Sequence, residues 1–298
     1  MGKRIPSISP KAISPRDMTP KPIRKSQVAA FLKPRPRDSH KGMFGTVTVI
    51  GGTKGMVGAP LLAARAALKM GAGCVHVGLL AENAPAVDVV QPELMLHSAA
   101  EALQLSNADV LAIGCGMGKS NLAYQLLYEA LKFKSPIVLD ADALNLLASH
   151  ADLQDDLRAR KYPSVLTPHP GEAAHLLACD TKEIQADRIA ASRQLAQRFD
   201  CSVVLKGADS LCVTRDGKLY VNKTGNPGMS SAGMGDVLTG MIAAFIAQGL
   251  SVDDAMLLAV HLHGAAGDKL AEQGIAIGMT ASDVTEWARW LLNNLITP

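Results

Sequence analysis

The stretch GNPGMSSAGMGDVLTG, residues Gly225–Gly240, decides how the rest of the chain is read. It places five glycines and one proline around a single carboxylate, Asp236, directly before the apolar segment VLTGMIAAFIAQGL. Because glycine costs backbone entropy, this density indicates a loop that bends sharply or approaches a ligand closely. The sequence therefore predicts that Asp236 lies at the N-terminus of a helix, behind a ligand-binding loop.

The chemistry of such a loop suggests a role for Asp236. Backbone amides of residues 232–235 would point at a bound anion, and the helix dipole would assist them. A carboxylate beside an anion binds that anion poorly, so we expect Asp236 to have another task. It is predicted to be a general base that takes a proton from a hydroxyl while the amides stabilise a transferred phosphoryl group.

From about residue 45 outward, strands and helices alternate along the chain. Buried strands are predicted at Thr46–Ile50, Cys74–Leu80, Asp109–Gly114, Pro136–Asp142, 164–172 and Ser202–Gly207. One charged helix is predicted at 181–198, a hairpin turning at Asp216–Gly217, and three helices near 235–248, 251–273 and 280–295. This alternation predicts an α/β fold with a mostly parallel sheet covered on both faces.

Polar or glycine-rich segments follow the carboxyl ends of these predicted strands. In such sheets, ligands bind beyond the carboxyl ends of the strands. We therefore expect the segments to converge on one cleft within a single domain, residues 26–298. They are 51–58, 114–120, 140–145, 167–172, 206–210 and 225–236.

Composition limits the class of protein. The net charge of +3 combines +9 over residues 1–41, from eleven Lys or Arg and two Asp, with −6 over the remainder. The first 41 residues also hold seven of the sixteen prolines, so residues 1–25 are predicted to be a disordered, solvated basic tail. Without interleaved aromatic residues, the tail favours neither nucleic-acid nor membrane binding. No apolar run reaches the length of about 18 residues that a membrane span needs.

The five cysteines are scattered and odd in number, and none forms a CxxC pair. This pattern favours a reducing, cytoplasmic setting over a disulfide framework or a zinc site. Buried, inert thiols are the expected role for four of the five.

Two glycine-rich turns resemble nucleotide-binding motifs but do not match their spacing. GCGMGKS fails as a phosphate-binding P-loop because Ile113 stands where the motif needs its first glycine. GGTKGMVGA, Gly51–Ala59, lacks the dinucleotide-binding spacing; it offers amides and a helix start to an anion or a flat ring, or is simply a tight turn.

Several polar residues at strand ends have both a structural and a functional interpretation. Asp140 and Asp142 close an apolar strand, and Asp142 could cap the following helix or face the cleft. His169 lies in a stiff turn between two prolines, which favours ligand contact. Lys206 follows four apolar residues, so we expect it to emerge into the cleft and hold phosphate, whereas His261 and His263 are predicted to pack within a helix.

Six segments, in order over residues 38–296, resemble those of the ADP- or ATP-dependent NAD(P)H-hydrate dehydratase family of the ribokinase-like superfamily. They are HKGMFGTVTVIGGTKGMVGAPLLAARAALKMGAG, QPELM, VLDADALNLLA, LTPHPGE, LKGADS and TGNPGMSSAGMGDVLTG. The HPGE segment separates the chain from the sugar kinases, which tend to carry Asn-x-x-Glu there. Met43, Cys115 and Met117 depart from the acidic residue, Pro and Leu expected at their positions.

The resemblance implies a ribokinase-like three-layer α/β/α fold and a repair reaction. ADP or ATP would phosphorylate the ring hydroxyl of (S)-NAD(P)H hydrate, and elimination of phosphate would restore NAD(P)H. The competing functions are a small-molecule kinase of the same fold and a non-catalytic nucleotide-binding regulator. The resemblance also implies that the protein uses Mg²⁺ and forms a homo-oligomer, for which a tetramer is one possibility. A separate NAD(P)H-hydrate epimerase is the expected functional partner.

The resemblance also implies roles for residues at matching positions. Asp236 is the expected catalytic base and also contacts the hydrate. The other expected hydrate-binding residues are Ala59, Gly116, Gly118 and His169. The expected nucleotide-binding residues are Lys206, Gly207, Ala208, Asp209, Ser210, Gly233 and Gly235. Asp142 and Glu172 are expected to organise magnesium and water.

Overall fold

One sheet organises the residues that the computed structural model describes, 19–105 and 108–296. Its ten strands lie in the order β1-β10-β9-β8-β7-β6-β5-β2-β3-β4. β9 runs antiparallel to β8 and β10, and every other neighbouring pair is parallel. The strands are β1 Lys21–Pro22, β2 Thr46–Gly51, β3 Cys74–Leu79, β4 Met95–Ser98, β5 Val110–Ile113, β6 Ile137–Leu139, β7 Ser164–Leu166, β8 Ser202–Leu205, β9 Leu211–Val213 and β10 Leu219–Val221.

Helices cover both faces of this sheet. Core residues of α2, α10, α11 and α12 pack against one face, and those of α3 to α9 pack against the other. The predicted three-layer α/β/α arrangement with a mostly parallel sheet is therefore confirmed. The helices are α1 Lys25–Ala29, α2 Gly58–Lys69, α3 Ala99–Gln104, α4 Asn121–Leu131, α5 Asp142–Ser149, α6 Ala151–Ala159, α7 Pro170–Leu177, α8 Thr181–Ala186, α9 Arg188–Phe199, α10 Met234–Ala247, α11 Val252–Glu272 and α12 Ala281–Leu295.

The central strands are short apolar runs, as expected for strands buried on both sides. VLAI in β5, IVL in β6 and SVVL in β8 are buried throughout. The hairpin of β9 and β10 and the last three helices lie where the sequence predicts them. None of the described helices is long and apolar enough to cross a membrane.

Some element boundaries differ from the prediction for identifiable reasons. The helix predicted at 181–198 is two helices, because Asp187 leaves helical geometry and its side chain caps α9 at Ala190. β6 ends at Leu139, so Asp140 and Asp142 follow the strand rather than lie in it. The edge strand β4 was not predicted, because two of its four residues are exposed and it lacks the apolar run of a buried strand.

The predicted disordered tail, residues 1–25, extends too far along the chain. Residues 1–18 lie outside the described residues, but 19–25 have defined structure. Lys21 and Pro22 pair with Tyr220 and Val221, and the Ile23 amide donates to the Val221 carbonyl over 2.9 Å. Ile23 is buried in the core, so one apolar side chain and an open sheet edge outweigh the local proline content.

The contact between α2 and α10 leaves no room for a side chain at Gly240. A Cβ built there would lie 1.9 Å from the carbonyl oxygen of Ala63. We expect Gly240→Ala to lower the free energy of unfolding by about 1–3 kcal/mol, because the two backbones must separate. Urea denaturation measures this value.

Gly58→Ala is the matched control, since Gly58 also lies in a helix but a Cβ there meets nothing within 4 Å. Its unfolding free energy should stay equal or rise slightly. Equal stability of the Gly240 and Gly58 variants would contradict the close packing of α2 against α10.

Candidate functional site

The segments that follow the strands do converge at the carboxyl edge of the sheet. The Thr53 amide donates to the Gly116 carbonyl over 2.8 Å, which joins the first two glycine turns. The Gly118 amide donates to Asp142 Oδ2 over 2.8 Å, and the Lys206 amide donates to the Pro168 carbonyl over 2.8 Å. These polar and glycine-rich segments therefore adjoin one another at one edge of the sheet.

A buried ion pair lies at the centre of this edge. Lys206 Nζ donates to Asp140 Oδ1 over 2.7 Å, and Thr239 Oγ1 donates to Asp140 Oδ2 over 2.9 Å. The Asp140 side chain is 2% exposed and the Lys206 side chain 18%. Burial acts to raise the pKa of Asp140, but Lys206 and the hydrogen bonds outweigh it, so the pKa is lowered. The carboxylate stays ionised and Lys206 stays cationic.

His169 and Glu172 form a helix cap beside this pair. His169 Nδ1 accepts hydrogen bonds from the Gly171 and Glu172 amides, and Glu172 Oε2 accepts one from the His169 amide over 2.8 Å. Glu172 Oε2 also lies 3.8 Å from Lys206 Nζ, and its burial raises its pKa. His169 is therefore the N-cap of α7 while its ring remains largely exposed.

Asp236 lies within a small group of buried polar atoms. The Cys115 Sγ and oxygens of Asp140 and Asp236 lie within 4.8 Å of one another. Burial, and then the charge of Asp140, raise the pKa of Asp236 to about 6, while a hydrogen bond with Cys115 opposes the rise. Burial and the two carboxylates raise the pKa of Cys115, which keeps it a thiol. Asp236 can therefore exchange a proton near neutral pH, as a general base must.

The helix behind Asp236 begins as the sequence predicts. Gly233 is the N-cap of α10 with φ 89°, and the Val237 amide makes the first described helical bond, to the Gly233 carbonyl. The amides of Met234, Gly235 and Asp236 belong to the first turn of α10. Amides in this position have no hydrogen-bond acceptor within the helix. A Cβ at Gly235 would lie 3.1 Å from Lys206 Nζ, so glycine lets the backbone meet the ammonium group.

A cavity of about 510 Å³ opens beside Lys206 and Gly235. This volume falls within the range of small-molecule sites. The predicted nucleotide-binding residues line it, except Gly233. The other lining residues are Asn222, Lys223, Thr224, Gly225, Asn226, Pro227, Met229, Ser230, Met234, Leu238, Val260, His263 and Gly264.

The predicted hydrate-binding residues lie outside the lining of this cavity but adjoin one another. A Cβ at Gly116 would lie 3.2 Å from the Ala59 Cβ, so the two residues are neighbours. Gly118 holds Asp142, which is the first residue of α5 and accepts the Gly118 amide. The capping role considered for Asp142 is wrong: Ala141, with φ 49°, occupies the cap position.

Sequence reasoning missed three residues of the site. Asp140 was noticed only as a costly buried charge, although its position after an apolar strand was the available signal. Cys115 was noted only as a departure from the family's proline, yet it adjoins Asp236. Three cysteines, Cys115, Cys201 and Cys212, are buried rather than the expected four. Thr239 gave no signal, because it lies within an apolar helix.

Comparison with known proteins identifies the family. The family model described as NAD(P)H-hydrate dehydratase matches residues 47–289. The chain belongs to the NAD(P)H-hydrate dehydratase family. It is 43% identical over 268 residues to the ADP-dependent (S)-NAD(P)H-hydrate dehydratase of Neisseria meningitidis serogroup B, covering 89% of this chain and 90% of that protein. This result bears out the resemblance drawn from the six motifs.

Some relatives are much longer than this chain, whereas others have about the same length. The bifunctional NAD(P)H-hydrate repair enzyme of Coxiella burnetii is 43% identical over 89% of this chain, but the chain spans 54% of that protein. The structure of the ADP/ATP-dependent NAD(P)H-hydrate dehydratase of Bacillus subtilis, co-crystallised with ATP and Mg²⁺, matches with a TM-score of 0.84 and 28% identity. It covers 93% of this chain and 99% of that chain.

A ribokinase-like superfamily protein from Enterococcus faecalis matches with a TM-score of 0.81 and 26% identity, over 97% of this chain and all of that one. The ribokinase-like fold expected from the sequence is therefore confirmed.

The buried ion pair supplies a test of the site's stability. We expect Lys206→Met to lower the free energy of unfolding by about 3–5 kcal/mol, because it leaves Asp140 charged, buried and without its cation. Lys223→Met is the control, since the Lys223–Asp209 pair is 60% and 54% exposed; it should cost at most about 1 kcal/mol. Equal losses in urea denaturation would contradict a special role for the buried pair.

The raised pKa of Asp236 predicts that its ionisation destabilises the fold. Between the ordinary value of 3.8 and about 6, the folded state binds the proton more tightly, so stability falls as pH rises through this window. Each pKa unit is worth about 1.4 kcal/mol. Asp236→Asn should therefore gain on the order of 3 kcal/mol over the wild type at pH 8 and less than about 1 kcal/mol near pH 4.

Urea denaturation at the two pH values measures this difference. Asp155→Asn, which changes an exposed carboxylate on α6, is measured in parallel as the control. A gain for Asp236→Asn that is equal at both pH values would contradict the raised pKa.

Proposed function

We propose that this chain dehydrates (S)-NAD(P)H hydrate to NAD(P)H at the expense of ADP or ATP. The carrying observation is that Asp236, a carboxylate that can exchange a proton near neutral pH, lies in the first turn of α10, close to the charge of Lys206 and directly after the cavity-lining Gly235. Family membership supplies the reaction, and the Neisseria meningitidis relative is named for the ADP-dependent form of it.

The geometry supports a division of tasks between the two sides of Asp236. The segment from Lys206 to Ser210 and the first turn of α10 would bind the nucleotide phosphates in the cavity. Ala59, Gly116, Gly118 and the exposed ring of His169 would bind the hydrate. Asp236 would then lie between the phosphoryl donor and the ring hydroxyl.

The reaction needs one proton transfer and one good leaving group. Asp236 takes the hydroxyl proton as the hydroxyl oxygen attacks the terminal phosphorus of the nucleotide, and the bond from that phosphorus to the bridging oxygen breaks. The nucleotide leaves with one phosphate fewer. The ring nitrogen lone pair then expels the phosphate ester as inorganic phosphate, and loss of a ring proton restores the double bond. The amides of α10 and Lys206 stabilise the charge on the transferred group.

Magnesium fits this site when it is carried by the nucleotide. Glu172 is already committed to the His169 amide and lies near Lys206, so we propose that it acts on the ion only through water. Asp142 Oδ2 accepts a hydrogen bond from the Gly118 amide, so Oδ1 is available to bind an ion or a water molecule of its hydration shell. Bound magnesium would neutralise phosphate charge, as it does when held by few carboxylates and several waters.

We further propose that the chain acts in the cytoplasm with an NAD(P)H-hydrate epimerase, and as a homo-oligomer. Five unpaired cysteines suit a reducing compartment. The relatives of about twice the matched length are named bifunctional NAD(P)H-hydrate repair enzymes, which favours a second repair activity working with this one.

The test is a direct assay. Purified protein is mixed with hydrated NADH, Mg²⁺ and either ADP or ATP, and the returning near-ultraviolet absorbance of reduced nicotinamide is followed. We expect recovery that requires a nucleotide, and a loss of about 10²–10⁴-fold in kcat for Asp236→Asn with ADP binding retained. Comparison of the two nucleotides identifies the phosphoryl donor.

Asp155→Asn is the control for this assay and should keep the wild-type rate. No recovery with either nucleotide, from folded protein that still binds ADP, would overturn the dehydratase and favour a small-molecule kinase. Full activity of Asp236→Asn would remove Asp236 from the mechanism.

A further inference from the structure

The loop of residues 224–230 forms one wall of the cavity, and helix α11 holds it from behind. All of its residues except Gly228 line the cavity. The chain then continues through residues 231–233 into α10, where Asp236 lies. The sequence gave α11 no role at this wall, so the contacts between the loop and the helix are new information.

Two glycines let α11 approach the loop closely. A Cβ at Gly264 would lie 2.6 Å from the Thr224 carbonyl oxygen, and a Cβ at Gly267 would overlap the Met229 side chain. Thr224 Oγ1 also donates a hydrogen bond to the His261 carbonyl over 3.0 Å, which ties the start of the loop to the helix. The residue that follows Gly267 is therefore within reach of the loop.

That residue, Asp268, uses both of its carboxylate oxygens on the loop. Oδ2 accepts a hydrogen bond from the Gly225 amide over 2.9 Å, and Oδ1 accepts one from Asn226 Nδ2 over 3.2 Å. Asn226 Oδ1 in turn accepts a hydrogen bond from the Gly228 amide over 3.0 Å. An amide donor faces one end of Asn226 and a carboxylate faces the other, so its partners decide which end is oxygen. Three hydrogen bonds thus set the path of residues 225–228.

Asp268 can act on a ligand only through this loop, because it does not itself line the cavity. A loop that contains two glycines has many conformations of similar energy, and ordering them when a ligand binds lowers the affinity. A carboxylate that orders the loop in the free protein removes this cost. Hydrogen bonds to a charged group are also stronger than those between neutral groups.

We propose that Asp268 is a positioning residue for nucleotide binding. Together with Asn226, it holds the loop of residues 224–230 as a preformed wall against which ADP or ATP binds. This inference rests on the proposed function, because it assumes that the cavity binds the nucleotide. It adds α11 to the elements that build the nucleotide site.

Exchanging the two side chains tests whether they act as a pair. Asp268→Asn places two amide groups against each other, whereas Asn226→Asp places two carboxylates together. The double variant, Asn226→Asp with Asp268→Asn, can restore all three hydrogen bonds, with the donor and acceptor exchanged across the pair. Because Asn226 lies in a loop, its single variant tests the pair without altering α11.

Calorimetric titration with ADP and Mg²⁺ measures the effect on binding. We expect each single variant to bind ADP about tenfold more weakly, the cost of about one hydrogen bond, and the double variant to bind within about threefold of the wild type. In the dehydration assay, the KM for the nucleotide should rise about tenfold in the single variants. The kcat should change by less than about threefold, because Lys206 and Asp236 are untouched.

Asp253→Asn is the matched control. Asp253 also lies on α11, but it accepts a hydrogen bond from Ser202 Oγ over 2.6 Å, at the first residue of β8. It does not line the cavity or contact a residue that does. Its variant should bind ADP as the wild type does, whatever its thermal stability, so a loss of affinity in the Asp268 variant is separated from a loss of stability.

Three results would overturn the proposal. They are unchanged ADP affinity in Asp268→Asn, a double variant that binds no better than the single variants, and a fall in kcat with an unchanged KM for the nucleotide. If the wild-type protein binds neither ADP nor ATP, the nucleotide-dependent function fails and this proposal fails with it. Binding by the wild type with equal binding by Asp268→Asn overturns this proposal alone, so the two failures are distinguishable.

Discussion

The buried pair of Asp140 and Lys206 is the interaction on which the site depends. It joins the carboxyl ends of β6 and β8, and Thr239 ties both to α10. Burying either charge alone would cost several kcal/mol, so each residue holds the other in its ionised form. The same pair sets the field in which Asp236 titrates, because the charge of Asp140 raises the pKa of Asp236 and the charge of Lys206 lowers it.

The glycines of this edge are needed first for backbone packing. A Cβ at Gly114 would lie 1.9 Å from the Asp140 carbonyl oxygen, and one at Gly51 would lie 2.1 Å from that of Cys115. These close approaches bring Cys115, Asp140 and Asp236 within reach of one another. Glycine density near a ligand site therefore reports backbone crowding as well as ligand contact, and the two causes coincide here.

The site also shows how function and stability oppose each other. A general base must be able to lose its proton near neutral pH, and Asp236 acquires that property from burial beside another carboxylate. The protein accepts a destabilised carboxylate at this position, while the surrounding elements satisfy their own polar groups through caps such as His169 with Glu172. The thiol of Cys115 restrains the effect, since its hydrogen bond with Asp236 opposes the rise in pKa.

The sequence by itself determined the fold class, the order of most strands and helices, and the convergence of the glycine-rich segments, because burial on both faces leaves continuous apolar runs and parallel strands end at one edge. It also singled out Asp236 from local composition alone. Only the tertiary structure decided which polar groups meet. Asp140, Cys115 and Lys206 follow three different strands, β6, β5 and β8. Pairing, burial and charge state are properties of those meetings, so no local pattern specifies that Asp140 binds Lys206 or that Cys115 adjoins Asp236.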